Sequence, residues 1–192
     1  MASTSPVPVT TGRKHAPRFT IEPVTQESAP TTIDAARKLL LEYGRFVASQ
    51  AGVAGFCYGT LKQEAAALPA SYGSQQGNAG ALIARLAAPS GKSSPWVGFV
   101  AWRTLPAPEL ADAWEIKRLW VRPAGRGAGI GRALIESILQ RAKAAGKSRL
   151  LLDTAPDSMA AAHKLYLDLG FTPCAPYTPR PTPGIIYLQK PL

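Results

Sequence analysis

The sequence predicts one mixed α/β domain, with a central, mostly antiparallel sheet and helices on both faces. Three observations carry that expectation. Segments of strand and helix period follow the order β-α-α-β-β-β-α-β-α-β-β within 192 residues. Three of the strand segments are consecutive, which favours antiparallel pairing. A strongly helical segment then separates two strand segments, and such a unit demands a parallel crossover, so the sheet is mixed. With 46% apolar residues the chain can bury one real core and is short for two.

Residues 1–18 are rich in Ser, Thr and Pro, lack apolar period, and read as a flexible basic tail before a domain over residues 19–192. Residues 18–24 form a first short strand. Thr31 and Thr32 are expected to cap a helix over 33–49, with Ala36, Leu39, Leu40, Tyr43 and Phe46 or Val47 on one stripe. A second helix covers 58–68 and stops before Pro69. Strands at 80–88 and 96–105 flank Pro89-Ser90-Gly91-Lys92, which is good hairpin-turn chemistry. Residues 113–121 form a fourth strand. The helix over 127–145 carries Ile130, Leu134, Ile138, Leu139 and Ala142 on one face and stops at Gly146. A buried fifth strand covers 149–153. Asp157 or Ser158 is expected to cap a helix over 159–169, and 171–177 and 185–189 are the closing strands.

The longest run without a polar break, Trp96-Val-Gly-Phe-Val-Ala-Trp102, is far short of a membrane span, and the first thirty residues hold no apolar signal core. Two cysteines, Cys57 and Cys174, form no metal-spaced cluster, so neither metal nor membrane is expected and a reducing cytoplasm is the simplest compartment. The net charge is +10. Residues 1–19 contribute +3; residues 122–149 contribute +6, from Arg122, Arg126, Arg132, Arg141, Lys143, Lys147 and Arg149 against Glu136. Charge focused in this way attracts anions. No nucleic-acid module is present and no aromatics interleave the basic residues, so a polyanionic cofactor fits the segment better than nucleic acid.

The segment Arg122-Pro-Ala-Gly-Arg126-Gly127-Ala128-Gly129-Ile130-Gly131-Arg132 follows a strand and opens a helix. A helix N-terminus exposes unpaired amides and partial positive charge, and glycines let backbone approach a pyrophosphate. A dinucleotide fingerprint is opposed by the G-x-G-x-G spacing, by the helix following the fourth strand, and by a basic residue where an acid is wanted. The Walker pattern is absent. The bland alternative is a tight strand-to-helix turn.

Arg126-x-x-Gly129-x-Gly131 resembles the R/Q-x-x-G-x-G/A signature of the GNAT superfamily of acetyl-CoA-dependent N-acetyltransferases. Leu119-Trp120-Val121 before it is similar to that family's L-Y-V strand end. Ala162-His163-Lys164-Leu165-Tyr166-Leu167-Asp168-Leu169-Gly170-Phe171 after it resembles the A-x-x-L-Y-x-x-L-G-F helix. The match is close over 113–171 and extends to 19–192 by element order alone. The resemblance implies a sheet splayed between the fourth and fifth strands, with the thioester in the opening. It implies that Leu119, Trp120 and Val121 line the pantetheine arm, that Arg126, Gly127, Ala128, Gly129, Ile130, Gly131 and Arg132 hold the pyrophosphate, and that acetyl passes directly to an amine. Met159 stands where the family commonly has Asn, so Ser158 is the candidate for that pantetheine contact.

By the same resemblance Tyr166 is the candidate acid that protonates the leaving thiolate; the alternative is a core aromatic. Glu115 stands at the base position of the histone-acetylating branch, and strand alternation places it on the side of Leu119 and Val121. Its alternative is a salt bridge with Lys117. Asp153 is a rival base at the end of the fifth strand. His163 reads as a solvated helix residue, and the cysteines as apolar fillers. The stretch 173–183 reads as a lid or a long hairpin loop. The expected partner is a small-molecule amine, since acids are scarce for a polycation. A peptide or protein amine, and a non-catalytic acyl-CoA sensor, are the alternatives, and a homodimer is left open.

Overall fold

The computed structural model describes residues 7–9, 19–50, 58–73, 78–88, 93–179 and 181–192. Its strands are β1 (Val7–Val9), β2 (Phe19–Pro23), β3 (Gly80–Leu86), β4 (Trp96–Thr104), β5 (Ala113–Val121), β6 (Arg149–Thr154), β7 (Thr172–Pro173) and β8 (Ile186–Pro191). The helices are α1 (Pro30–Ala48), α2 (Tyr58–Ala66), α3 (Ile130–Ala144) and α4 (Ala160–Asp168). The eight strands form one sheet in the order β1-β2-β3-β4-β5-β6-β8-β7. Only β5 and β6 pair in parallel, joined by the α3 crossover; every other pair is antiparallel. The expected mixed sheet is therefore present.

Two cores lie on opposite faces. On one, Leu134, Ile135 and Ile138 of α3 pack with Trp102, Trp114, Ile116 and Leu152, joined by Tyr166 of α4. On the other, Leu39 and Leu40 of α1 and Leu61 of α2 pack on Ile83, Phe99 and Ala101. Each fully buried leucine or isoleucine contributes on the order of 1.5–3 kcal/mol. Alternation along β4 feeds both cores, with Val100 and Trp102 on one and Phe99 and Ala101 on the other, and a register shift between Trp96 and Gly98 turns Val97 to the side of Val100.

Several element ends differ from expectation. Helix α1 starts at Pro30 with Ala29 as its N-cap, so Thr31 and Thr32 lie inside its first turn and cap nothing. Proline at N1 supplies a fixed helical φ where an N–H is not needed. Helix α4 is preceded by Met159 rather than capped by Asp157 or Ser158. The closing strand expected over 171–177 is only Thr172–Pro173, because Pro173 and Pro176 have no N–H to give a ladder. Within residues 1–18, Val7–Val9 pair with Phe19, Thr20 and Ile21 at the sheet edge. The hairpin turn at 89–92 lies outside the described residues. No helix among them is long and apolar enough to cross a membrane.

Candidate active site

The strand-to-helix segment is built by backbone. Pro123 opens a single 3-10 turn over Pro123–Gly125, and α3 begins only at Ile130, three residues later than expected. Gly127 and Gly129 have φ of +77° and +82°. A Cβ at either would meet nothing within 4 Å, so the left-handed backbone, and not lack of space, calls for glycine there. At Gly131 the reason is proximity: a Cβ would come within 3.2 Å of Leu165 Cδ2, where α3 meets α4. The first turn of α3 leaves its amides without intrahelical acceptors.

These amides face a groove of about 470 Å³ between β5, α3, α1 and α4. Leu119, Trp120, Val121, Arg126, Gly127, Gly129, Ile130, Gly131, Arg132 and Ser158 all line it. Of the expected cofactor residues, Ala128 packs against the α3-side core instead, and Tyr166 faces the adjoining cavity described below. The arginines divide. Arg122 donates to both carboxylate oxygens of Glu42 at 2.8 and 2.7 Å and to the Trp96 carbonyl at 2.7 Å, so it is committed to structure. Arg132 makes a loose 3.8 Å contact with Glu136. Arg126 pairs with no carboxylate among the described residues; it donates to the Val121 carbonyl and lies 5.3 Å from the Trp120 ring centre. Open amides, left-handed glycines and an unpaired guanidinium fit a pyrophosphate.

The sheet opens where expected. Strands β5 and β6 pair at Ala113, Trp114 and Glu115 with Arg149, Leu150 and Leu151, and beyond that they part. Between Phe99 and Ala101 the β4–β5 register shifts, and Arg118 sits at φ +62°, so β5 carries a bulge. Arg118 is buried and forks onto Glu64 at 2.8 and 3.1 Å, and the Tyr72 hydroxyl donates to the same carboxylate at 2.5 Å. This ion pair holds a side chain whose backbone is in an unfavourable region.

A cavity of about 40 Å³ fills the opening, lined among others by Tyr43, Lys117, Asp153, Met159 and Tyr166. Tyr166 is 6% exposed and packs edge-on against Phe171. Burial, helped by Tyr43 and the Asp153 charge, pushes its phenol well above the usual tyrosine value. It therefore stays protonated and able to donate.

Glu115 is fully buried but is not on the side of Leu119 and Val121. Trp114 and Ile116 share the α3-side core with those two residues. The bulge at Arg118 adds a residue and inverts the alternation, so the expectation from simple period two fails. Glu115 instead accepts from Arg103 Nε at 2.7 Å, Lys117 Nζ at 3.3 Å and the Tyr177 hydroxyl at 3.2 Å. Lys117 Nζ also reaches Asp153 at 3.2 and 3.3 Å, bridging the opening. Sequence reasoning missed Tyr177: it belongs to the 173–183 stretch, and only the fold carries it to β5. His163 is half-buried on α4, Cys174 is a free thiol, and Cys57 lies outside the described residues.

A family model described as the acetyltransferase (GNAT) family matches residues 54–171, and the chain belongs to that family. An uncharacterized N-acetyltransferase of Schizosaccharomyces pombe is 39% identical over 75 residues, 39% of this chain and 45% of its own length. An IAA acetyltransferase of Azospirillum brasilense is 43% identical over 79 residues, 41% of this chain and 51% of its own. The chain thus spans about half the length of the curated relatives it matches. A putative acetyltransferase from Salmonella typhimurium, solved with its cofactor acetyl-CoA, superposes with a TM-score of 0.64 at 17% identity, covering 90% of this chain and 93% of that one. At that identity the likeness is one of fold.

Proposed function

We propose that this chain transfers acetyl from acetyl-CoA to the primary amine of a small molecule. The observation that carries the reading is that the cationic groove and the cavity holding Tyr166 and Asp153 adjoin, sharing Tyr43, Leu119, Met159 and Ala162 in their walls. Bound acetyl-CoA would supply a thioester acyl group. The α3 amides and Arg126 hold the diphosphate, and Leu119, Trp120 and Val121 flank the pantetheine arm. Ser158 lines the same groove at the start of α4, beside the Met159 that replaces the family's common Asn.

Two proton transfers fall to side chains. The acceptor ammonium loses a proton to Asp153, which lines the cavity; Glu115, ion-paired behind it, positions Lys117. Tyr166 gives its proton to the departing sulfur. Both carboxylates already face Lys117 or Arg103, which disfavours a polycationic acceptor and supports a small amine of low charge. Acetyl-CoA turnover across a panel of small primary amines, a polyamine and a lysine peptide tests this. Turnover confined to the peptide would overturn the acceptor class, and no turnover with any amine would overturn the catalytic reading.

A further inference from the structure

The groove and the small cavity in the sheet opening share a neck, where Tyr43, Leu119, Met159 and Ala162 line both. Beyond the neck one wall of the cavity is polar, with Lys117 and Asp153 ion-paired across it. The other wall is apolar and comes from distant parts of the chain: Val47 of α1, Ala155 and Met159 ahead of α4, and Ile185 ahead of β8. Val47 and Ala155 are buried together as a small core of their own, and Tyr43, Met159 and Ile185 pack against it. This core is distinct from the two on the sheet faces; its place is the end of the sheet opening.

Of the residues packed on that core, Met159 and Tyr43 also stand at the neck. Tyr43 presents a rigid ring from within α1. Met159 is unbranched, and its backbone is pinned. Its N–H donates to the Ala155 carbonyl at 2.7 Å, and its carbonyl accepts from the Ala162 and His163 amides at 3.0 Å each. Only the side chain can move, and moving it gives up its packing on Val47 and Ala155. The space beyond is small, about 40 Å³ against about 470 Å³ for the groove. A water-sized group takes up about 30 Å³, so a methyl fits there and a propyl chain does not unless a wall yields. Met159 is the wall that must yield.

We propose that Met159 sets acyl-chain length, admitting acetyl at the neck and turning back longer acyl groups. The proposal rests on the reading of groove and cavity as the acyl-CoA site, and is independent of which amine accepts the acyl group. One methylene too many in a hydrophobic pocket changes selectivity by about 10- to 200-fold.

The test is binding of CoA, acetyl-CoA, propionyl-CoA and butyryl-CoA to the full chain, measured by calorimetric titration with no amine present. The unaltered protein should bind butyryl-CoA at least about tenfold more weakly than acetyl-CoA, with propionyl-CoA between them. Met159→Ala removes the thioether and its terminal methyl, and should bring butyryl-CoA to within about threefold of acetyl-CoA. Met159→Leu, of similar volume, should keep the ratio of the unaltered protein. Equal binding of acetyl-CoA and butyryl-CoA by the unaltered protein overturns the proposal. So does a Met159→Ala protein that discriminates like the unaltered one, or a Met159→Leu protein that does not. The comparison in the unaltered protein stands whether or not either variant folds. Binding of CoA itself separates the two readings: no binding of any of these compounds overturns the acyl-CoA site and the length gauge with it, whereas binding of all of them alike overturns the gauge alone.

Discussion

The two halves of the proposed reaction centre are made of different material. The half proposed to hold pyrophosphate is backbone: left-handed glycines, the open amides of α3 and a strand end. The half proposed to move protons is side chains from β4, β5, β6, α4 and the segment after β7: Arg103, Glu115, Lys117, Asp153, Tyr166 and Tyr177. A backbone site depends on consecutive residues and tolerates change in its side chains. A side-chain site depends on register, so one inserted residue at Arg118 re-aims every group before it. The first should fail through glycine substitutions, the second through loss of single charged or hydroxyl groups.

The largest effect is expected in the backbone half. Gly129→Glu adds strain of about 1–2 kcal/mol at a left-handed position and a negative charge facing the pyrophosphate. The melting-temperature rise with saturating acetyl-CoA should vanish, while the free protein still folds, since a Cβ there meets open space. A folded variant that retained the shift would place the phosphate site elsewhere. Next comes Tyr166→Phe, which keeps the ring packing and removes the hydroxyl. Turnover should fall on the order of 10²- to 10⁴-fold with acetyl-CoA KM nearly unchanged. Because burial raises the Tyr166 pKa, wild-type kcat should show no falling limb from this group below about pH 10.

A sharper contrast lies between the carboxylates. Asp153→Asn should lower turnover by about 10²-fold, with partial recovery at high pH where free amine needs no acceptor for its proton. Glu115→Gln should lower stability first. It leaves buried Lys117 and half-exposed Arg103 short of charge, a loss on the order of 1–3 kcal/mol after allowing for solvent at Arg103. If Glu115→Gln instead melts like wild type and shows the pH-rescued loss, the base is Glu115.

Smaller still is the acid response of Glu64. Burial raises its pKa, but the Arg118 guanidinium outweighs this and holds the carboxyl below the usual range. A depressed folded value stabilises fully above the unfolded value of about 4.3 and is lost as pH falls through the folded one. Glu64→Gln should therefore flatten the fall in melting temperature between about pH 5 and 3. Smallest of all is removal of residues 1–18, which takes away only the three-residue edge strand β1 among described elements. The melting temperature should move by less than about 4 °C and acetyl-CoA affinity should hold; a larger loss would show that the tail supports the domain.

Apart from the edge strand β1, the element order was legible in the sequence, as were the groove residues between Leu119 and Arg132 other than Ala128 and the tyrosine on α4, because each depends on local period or on contiguous residues. Helix ends were read a residue or more out at α1 and α4, where neighbouring packing and Pro30 overrode the side-chain caps. Three features were decided only by tertiary structure. The bulge at Arg118 reversed the face of Glu115, and it is held by Glu64, fifty-four residues away. Tyr177 reaches Glu115 across sixty-two residues of chain. A cleft of about 710 Å³ beside the last turn of α3 gathers Tyr72, Gly80, Trp102, Trp114 and Arg141 from five separate segments. Period and motif record what a residue's chain neighbours require. The charge pairs and donors that meet across the sheet are recorded only in the fold, because no spacing along one strand encodes which partner a second strand presents.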